Sequence, residues 1–199
     1  MMRASGKLHE ALKYYDLGLH LNPNEDINNE LINHRNSTEI EISSIEINAK
    51  NILDQANAMY FHELGNSFFK DCQWDNAKNA YQKGFNCKGA SPEIKAILAN
   101  CLGNVFQRIE MPFDAIDRYH EGLQFKDATD ETKAILSTNL GNTFHFVGYF
   151  NAAIAAFQNG LNFVHVSPEI KMVLEANLAG VYQMIASAQP AERRLYPSS

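Results

Sequence analysis

The chain has 199 residues, 45% hydrophobic and 20% charged, enough to bury a sizeable core without help from disulfides or metals. Its net charge of −6, from 23 acidic against 17 basic residues, creates no field to gather a polyanion and argues against nucleic acid as a partner. No apolar run approaches the roughly 18 residues of a membrane span, the start carries no signal-type apolar region, and Cys72, Cys87 and Cys101 form no C-x-x-C pair, so a reduced, cytoplasmic protein without membrane contact is expected.

In chain order, residues 1–22 read as one amphipathic helix, with Leu8, Leu12, Tyr15 and Leu19 at i, i+4, i+7 and i+11. Residues 23–57 break the pattern of everything that follows. Asn22 to Asn36 holds six asparagines, and Ile40-Glu41-Ile42 and Ile45-Glu46-Ile47 alternate like strands. An isolated strand would have no sheet to join, so a loop followed by a helix leading into Ala58 is expected there.

Residues 58–189 are periodic. Leu64-Gly65-Asn66, Leu102-Gly103-Asn104, Leu140-Gly141-Asn142 and Leu178-Ala179-Gly180 succeed one another at a constant step of 38. Ser91-Pro92-Glu93, Thr129-Asp130-Glu131 and Ser167-Pro168-Glu169 keep the same step, as do Ala77, Ala115 and Ala153. Each unit predicts two helices. Ser91 and Ser167 are N-caps with proline at the first helical position, where the missing N–H costs nothing. Phe61, Leu64, Gly65 and Phe68 share one helical face, matched by Leu102, Gly103 and Phe106 and by Leu140, Gly141 and Phe144. After a break, Ala77/Tyr81/Gly84, Ala115/Tyr119/Gly122 and Ala153/Phe157/Gly160 mark the second helix. The glycines allow close helix approach, and Phe68, Phe106 and Phe144 fill the space between units.

These residues resemble the tetratricopeptide repeat family: Leu-Gly, an aromatic three residues on, then Ala, an aromatic and a small residue at fixed offsets. The resemblance spans Ala58 to about Tyr182. It implies an all-α fold, an α-solenoid of stacked antiparallel helix pairs. The step of 38 exceeds the family's usual length, and the L-G-N tripeptide is similar to longer-repeat scaffolds. Residues 1–22 then resemble the second helix of a partial repeat, through Leu8, Ala11, Tyr15, Gly18 and Pro23. Residues 23–57 are either an insertion or a degenerate repeat, because Ala11 to Ala77 is 66 residues, 38 plus 28. Residues 58–189 hold three full repeats and the first helix of a fourth, whose second helix would run from Pro190 through Leu195; 190–199 form a short tail.

The resemblance further implies that first helices line a concave face which binds a partner peptide. The groove positions are His62, Asn66, Phe69 and Lys70, then Asn100, Asn104, Gln107 and Arg108, then Thr138, Asn142, His145 and Phe146, and last Ala176, Gly180, Gln183 and Met184. Asn66, Asn104 and Asn142 form a ladder of amides that either bind peptide backbone or order the stack by bonding the adjacent helix. Family members that clamp the C-terminal carboxylate of chaperones place Lys four residues before the groove Asn. Here His62 stands in that place, and Ile135 and Asn139 occupy the later positions, which argues against such a clamp.

No catalytic motif, cofactor loop or metal-ligand spacing stands out among the seven histidines and three cysteines. Cys72 falls at a break between helices, and Trp74 at a large-residue core position. The sequence therefore points to a non-catalytic interaction module with a protein or peptide partner. Uncapped apolar faces at both ends, among them Leu174, Leu178 and Tyr182, add the expectation of a homodimer joined end to end, or of a longer parent chain.

Overall fold

The computed structural model describes residues 2–21 and 25–195, with side chains over 5–20 and 25–187. The chain divides into two compact units, Met1–Asp54 and Gln55–Ser199. Every element among the described residues is an α-helix.

The first unit holds α1 (Met2–Leu21) and the beginning of α2 (Glu25–Lys70). The two run antiparallel. Arg35 Nε donates to Asp16 Oδ1 at 2.6 Å, Leu31 packs where a Cβ on Gly18 would stand 3.1 Å away, and Tyr15 stacks on His34 with ring centroids 6.1 Å apart. The expected loop is absent: from Glu25 onward the asparagine-rich stretch is helix. Its cause is negative as much as positive. Residues 25–64 contain neither glycine nor proline, the residues that end helices. The polar side chains that compete with helix elsewhere bond back to it instead, Thr38 Oγ1 to His34 O at 2.8 Å, Ser43 Oγ to Glu39 O at 2.9 Å and Ser44 Oγ to Glu41 O at 2.8 Å.

The second unit takes α2 from Gln55 on, α3 (Trp74–Phe85), α4 (Pro92–Arg108), α5 (Pro112–Leu123), α6 (Asp130–Phe146), α7 (Phe150–Leu161) and α8 (Pro168–Leu195). These helices form three successive hairpins, α2 with α3, α4 with α5 and α6 with α7, followed by α8. Ser91 and Thr129 cap α4 and α6, accepting from Ile94 N at 3.3 Å and Thr132 N at 3.2 Å. Each first helix ends in the same hydrogen-bonded turn, Gln73 N to Phe68 O at 2.8 Å, Met111 N to Phe106 O at 2.9 Å and Tyr149 N to Phe144 O at 2.8 Å. That turn needs one left-handed residue. Gly148 (φ 82°) supplies it freely in the third hairpin, whereas Cys72 (φ 58°) and Glu110 (φ 60°) adopt it against a cost of about 1–2 kcal/mol for a side-chain-bearing residue.

Close approach inside each hairpin is set by glycine. A Cβ on Gly65, Gly103 or Gly141 would lie 2.4, 2.3 and 2.4 Å from the rings of Tyr81, Tyr119 and Phe157. Those three rings are the largest buried side chains and centre three successive cores. Phe144 packs against two of the cores, the bridging role expected of its position.

Hairpins are also tied at their outer corners. Ser91 N donates to Gln55 Oε1 at 2.6 Å, Thr129 N to Glu93 Oε2 at 2.6 Å and Ser167 N to Glu131 Oε2 at 2.8 Å. The acceptor lies on one first helix, at its second residue in α4 and α6 and well inside the long α2, and the donor caps the next, always 36 residues apart. Partial burial works to raise the Glu93 carboxyl, but bonds from Thr132 and Thr129, helped by Lys133, hold it below its ordinary value.

The far end differs from expectation. α8 continues through Leu195, so no separate second helix begins at Pro190, and the end of the expected tail, 196–199, lies outside the described residues. Leu174, expected to lack cover, is fully buried, because Gly160 and Ser137 leave it a seat against the preceding hairpin.

Candidate peptide groove

First helices pack on one another, α4 on α6 and α6 on α8, whereas α3, α5 and α7 do not pack on their successors along their lengths. A stack that is tight on one side and splayed on the other is concave on the tight side. First helices therefore line the concave side of the second unit, and the predicted residues lie on those helices.

The amide ladder is not uniform. Tyr81 OH donates to Asn66 Oδ1 at 2.9 Å and Tyr119 OH to Asn104 Oδ1 at 2.8 Å. Asn66 Nδ2 also lies 3.4 Å from His62 Nε2. In the third hairpin Phe157 has no hydroxyl, and Asn142 is exposed, its Oδ1 accepting from Asn177 Nδ2 at 2.9 Å. Neighbouring first helices are laced across the floor by Asn139 Nδ2 to Asn100 Oδ1 at 2.8 Å and by Gln107 Nε2 to Thr143 Oγ1. At the far side His145 Nε2 meets Met184 Sδ at 2.9 Å.

Four equivalent positions change character along the groove. Lys70 and Arg108 are exposed and belong to no ion pair among the described residues; Phe146 (79% exposed) and Met184 follow them. Gln107, Glu110, Pro112, Thr143 and Phe146 line a cavity of about 260 Å³ between α4 and α6. Gln183 is exposed on α8, and Gly180 beside it has open space where a Cβ would stand.

Sequence reasoning named the asparagines and Gln107 but not the partners they take: Tyr81, Tyr119, Asn139 and Asn177 for the asparagines and Thr143 for Gln107. The signal was present: asparagine and tyrosine recur 15 residues apart in two repeats and the tyrosine is lost in the third.

Burial pushes the Cys101 thiol up to about 12, and burial together with that neighbouring thiol raises Tyr81. Among the described residues no three His, Cys, Asp or Glu side chains gather to hold a metal, and no helix is long and apolar enough to cross a membrane.

Comparison with protein-family models and with curated proteins gives no match. Solved structures do match. The first TPR domain of Spaghetti (RPAP3), bound to the HSP90 peptide SRMEEVD, is 16% identical with a TM-score of 0.54, over 66% of this chain and 95% of that one. The second TPR domain of human RPAP3, in complex with the HSP70 peptide SGPTIEEVD, is 17% identical with a TM-score of 0.52, over 66% and 98%. The N-terminal domain of stress-induced protein-1 from C. elegans is 16% identical with a TM-score of 0.53, over 62% and 96%. The chain has the tetratricopeptide-repeat fold, and two of these similar domains are solved with a peptide bound.

Proposed function

We propose that the second unit is a non-catalytic scaffold or adaptor module that holds a segment of a partner protein in the groove of its first helices. The observation that carries this reading is the row Lys70, Arg108, Phe146 and Met184: four equivalent positions, exposed to solvent, cationic at one end and apolar at the other. Exposed side chains of this kind contribute little to folding and much to recognition. The segment that fits has acidic residues toward Lys70 and Arg108 and a bulky apolar residue toward the cavity beside Phe146. Asn142, His145 and Gln183 are the polar groups best placed for its backbone, with His62, Asn66, Asn100, Asn104 and Gln107 forming the floor beneath.

This groove differs from one that grips a free carboxylate. His62 and Asn66 are turned toward each other, and the Asn139 amide is occupied by Asn100. SRMEEVD and SGPTIEEVD, bound by the two RPAP3 domains, are therefore expected to bind weakly here, with no loss when their C-terminal carboxylate is amidated. Joining of copies through α8 is a weaker reading, since Glu175 and Ala179 stand exposed where the inner repeats bury Ala99 or Ser137 and Gly103 or Gly141. A cytoplasmic setting accords with three free cysteines.

The test is a peptide array of partner segments captured from lysate, probed with the full chain and with Arg108→Glu and Phe146→Ser. Both substitutions are at exposed positions, so thermal stability is expected to hold while capture falls. Equal capture by all three proteins overturns the groove.

A further inference from the structure

We infer that two copies of this chain pair through the middle of α2, antiparallel, along residues 42–53. The starting observation is a seam. Leu31, Arg35, Thr38, Ile42, Ile45, Ala49 and Ile52 follow one another at alternating steps of three and four, the spacing that keeps one line along a helix facing a second helix. α1 covers the first part of that line. Leu31 packs at Gly18, Arg35 bonds Asp16, and Thr38 and Ile42 are buried. Beyond Ile42 the line continues without a break in spacing while its cover ends. Ile45 is half-buried, Ala49 is exposed and Ile52 is 58% exposed.

Residues 46–53, two turns of helix, are exposed on every side. Isolated helix of that length is marginal in water, and the apolar positions at heptad spacing are those that a partner helix, rather than solvent or an extended segment, would cover. Charge selects both the occupant and its direction. In a parallel pair Glu41 of one copy, on one flank of the seam, would face Glu46 of the other, a like-charge contact repeated twice by symmetry. In an antiparallel pair centred near Ala49, Glu46 of one copy lies on the same flank as Lys50 of the other, twice by symmetry, and Ile45 meets Ile52 across the small Ala49. Neither Glu46 nor Lys50 belongs to an ion pair among the described residues. The sequence of this helix is thus complementary to itself read backward, the requirement of a twofold contact. About three turns of each helix fall at the low end of specific interfaces, below about 1,200 Å², so a micromolar dimer is expected.

Sedimentation velocity of the full chain over a concentration series tests this, with circular dichroism to verify that variants stay folded. The expected result is a reversible dimer that Ile52→Asp converts to monomer with unchanged helicity. Glu46→Lys weakens it about threefold to tenfold, and adding Lys50→Glu restores it. In a Cys72→Ser background, oxidation crosslinks Ala49→Cys into a covalent dimer and leaves Ile47→Cys, on the opposite face, largely monomeric. A chain that is monomeric throughout overturns the proposal, as does a dimer indifferent to Ile52→Asp, or crosslinking that is equal at the two cysteine positions.

Discussion

In the second repeat Asn104 Oδ1 accepts from the Tyr119 hydroxyl at 2.8 Å and, more distantly, from Asn139 Nδ2 of the following helix at 3.4 Å; in the third, Phe157 stands in the tyrosine's place and Asn142 Oδ1 keeps the bond to the following helix, from Asn177 Nδ2 at 2.9 Å, without a hydroxyl bond. The backbones are equivalent, both glycines meet a ring edge at nearly the same distance, and both hairpins enclose a core. What differs is one oxygen atom. Where the hydroxyl is present it is buried with its ring and must be given an acceptor, so the amide is drawn into the hairpin. Where it is absent the amide is left at the surface. A repeat protein can thus keep one scaffold while moving an amide between folding and recognition by a change on the opposite helix.

The largest effect expected from this contrast is at the amides themselves. Asn104→Ala removes the acceptor of a buried hydroxyl and should cost about 1–3 kcal/mol in chemical denaturation, whereas Asn142→Ala should stay within about 0.5 kcal/mol. Equal losses at the two sites would erase the distinction. A smaller effect tests it in reverse. Phe157→Tyr rebuilds the second repeat's arrangement in the third, and the new bond to Asn142 should add about 0.5–1.5 kcal/mol, with weaker capture of groove ligands as the amide is drawn in. If stability rises and capture is unchanged, Asn142 makes no ligand contact.

The smallest effect extends the contrast to the corners, where Gln55 accepts at the first junction and Glu93 and Glu131 at the next two. The Glu93 carboxyl is held below its ordinary value of 4.5. Its contribution is therefore full above that pH and is lost as pH falls through the lowered folded value. Glu93→Gln keeps the accepting oxygen, as Gln55 does naturally. Stability should be little changed at neutral pH and decline less steeply in acid, measured by thermal melts across the acidic range.

How far the sequence speaks for itself varies with the kind of signal. The repeats were legible because glycine at 65, 103 and 141 and the facing rings are steric requirements that tolerate few substitutes. A helix leading into Ala58 was expected, but its start as early as Glu25 was not, because asparagine and serine carry only a weak preference against helix, and the decisive sign was the lack of any glycine or proline from 25 to 64. Candidate groove positions could be listed from the family resemblance together with the period. Which of them are already spent on a tyrosine could not, since that depends on the residue 15 positions later on another helix.

The corner bonds between Gln55, Glu93 or Glu131 and the caps that follow them have a bearing on how such a gene can change. Each acceptor works only if it points to the cap 36 residues on, and a single codon inserted into a first helix after it would turn it by about 100° away from that direction. An insertion between the acceptor and the glycine of the same helix leaves only one of them in register. Substitutions can accumulate at almost any exposed position, but a change of length there breaks one of the two joints. Drift in such a chain is thus channelled into residue identity, while the reading distance from one repeat to the next stays fixed.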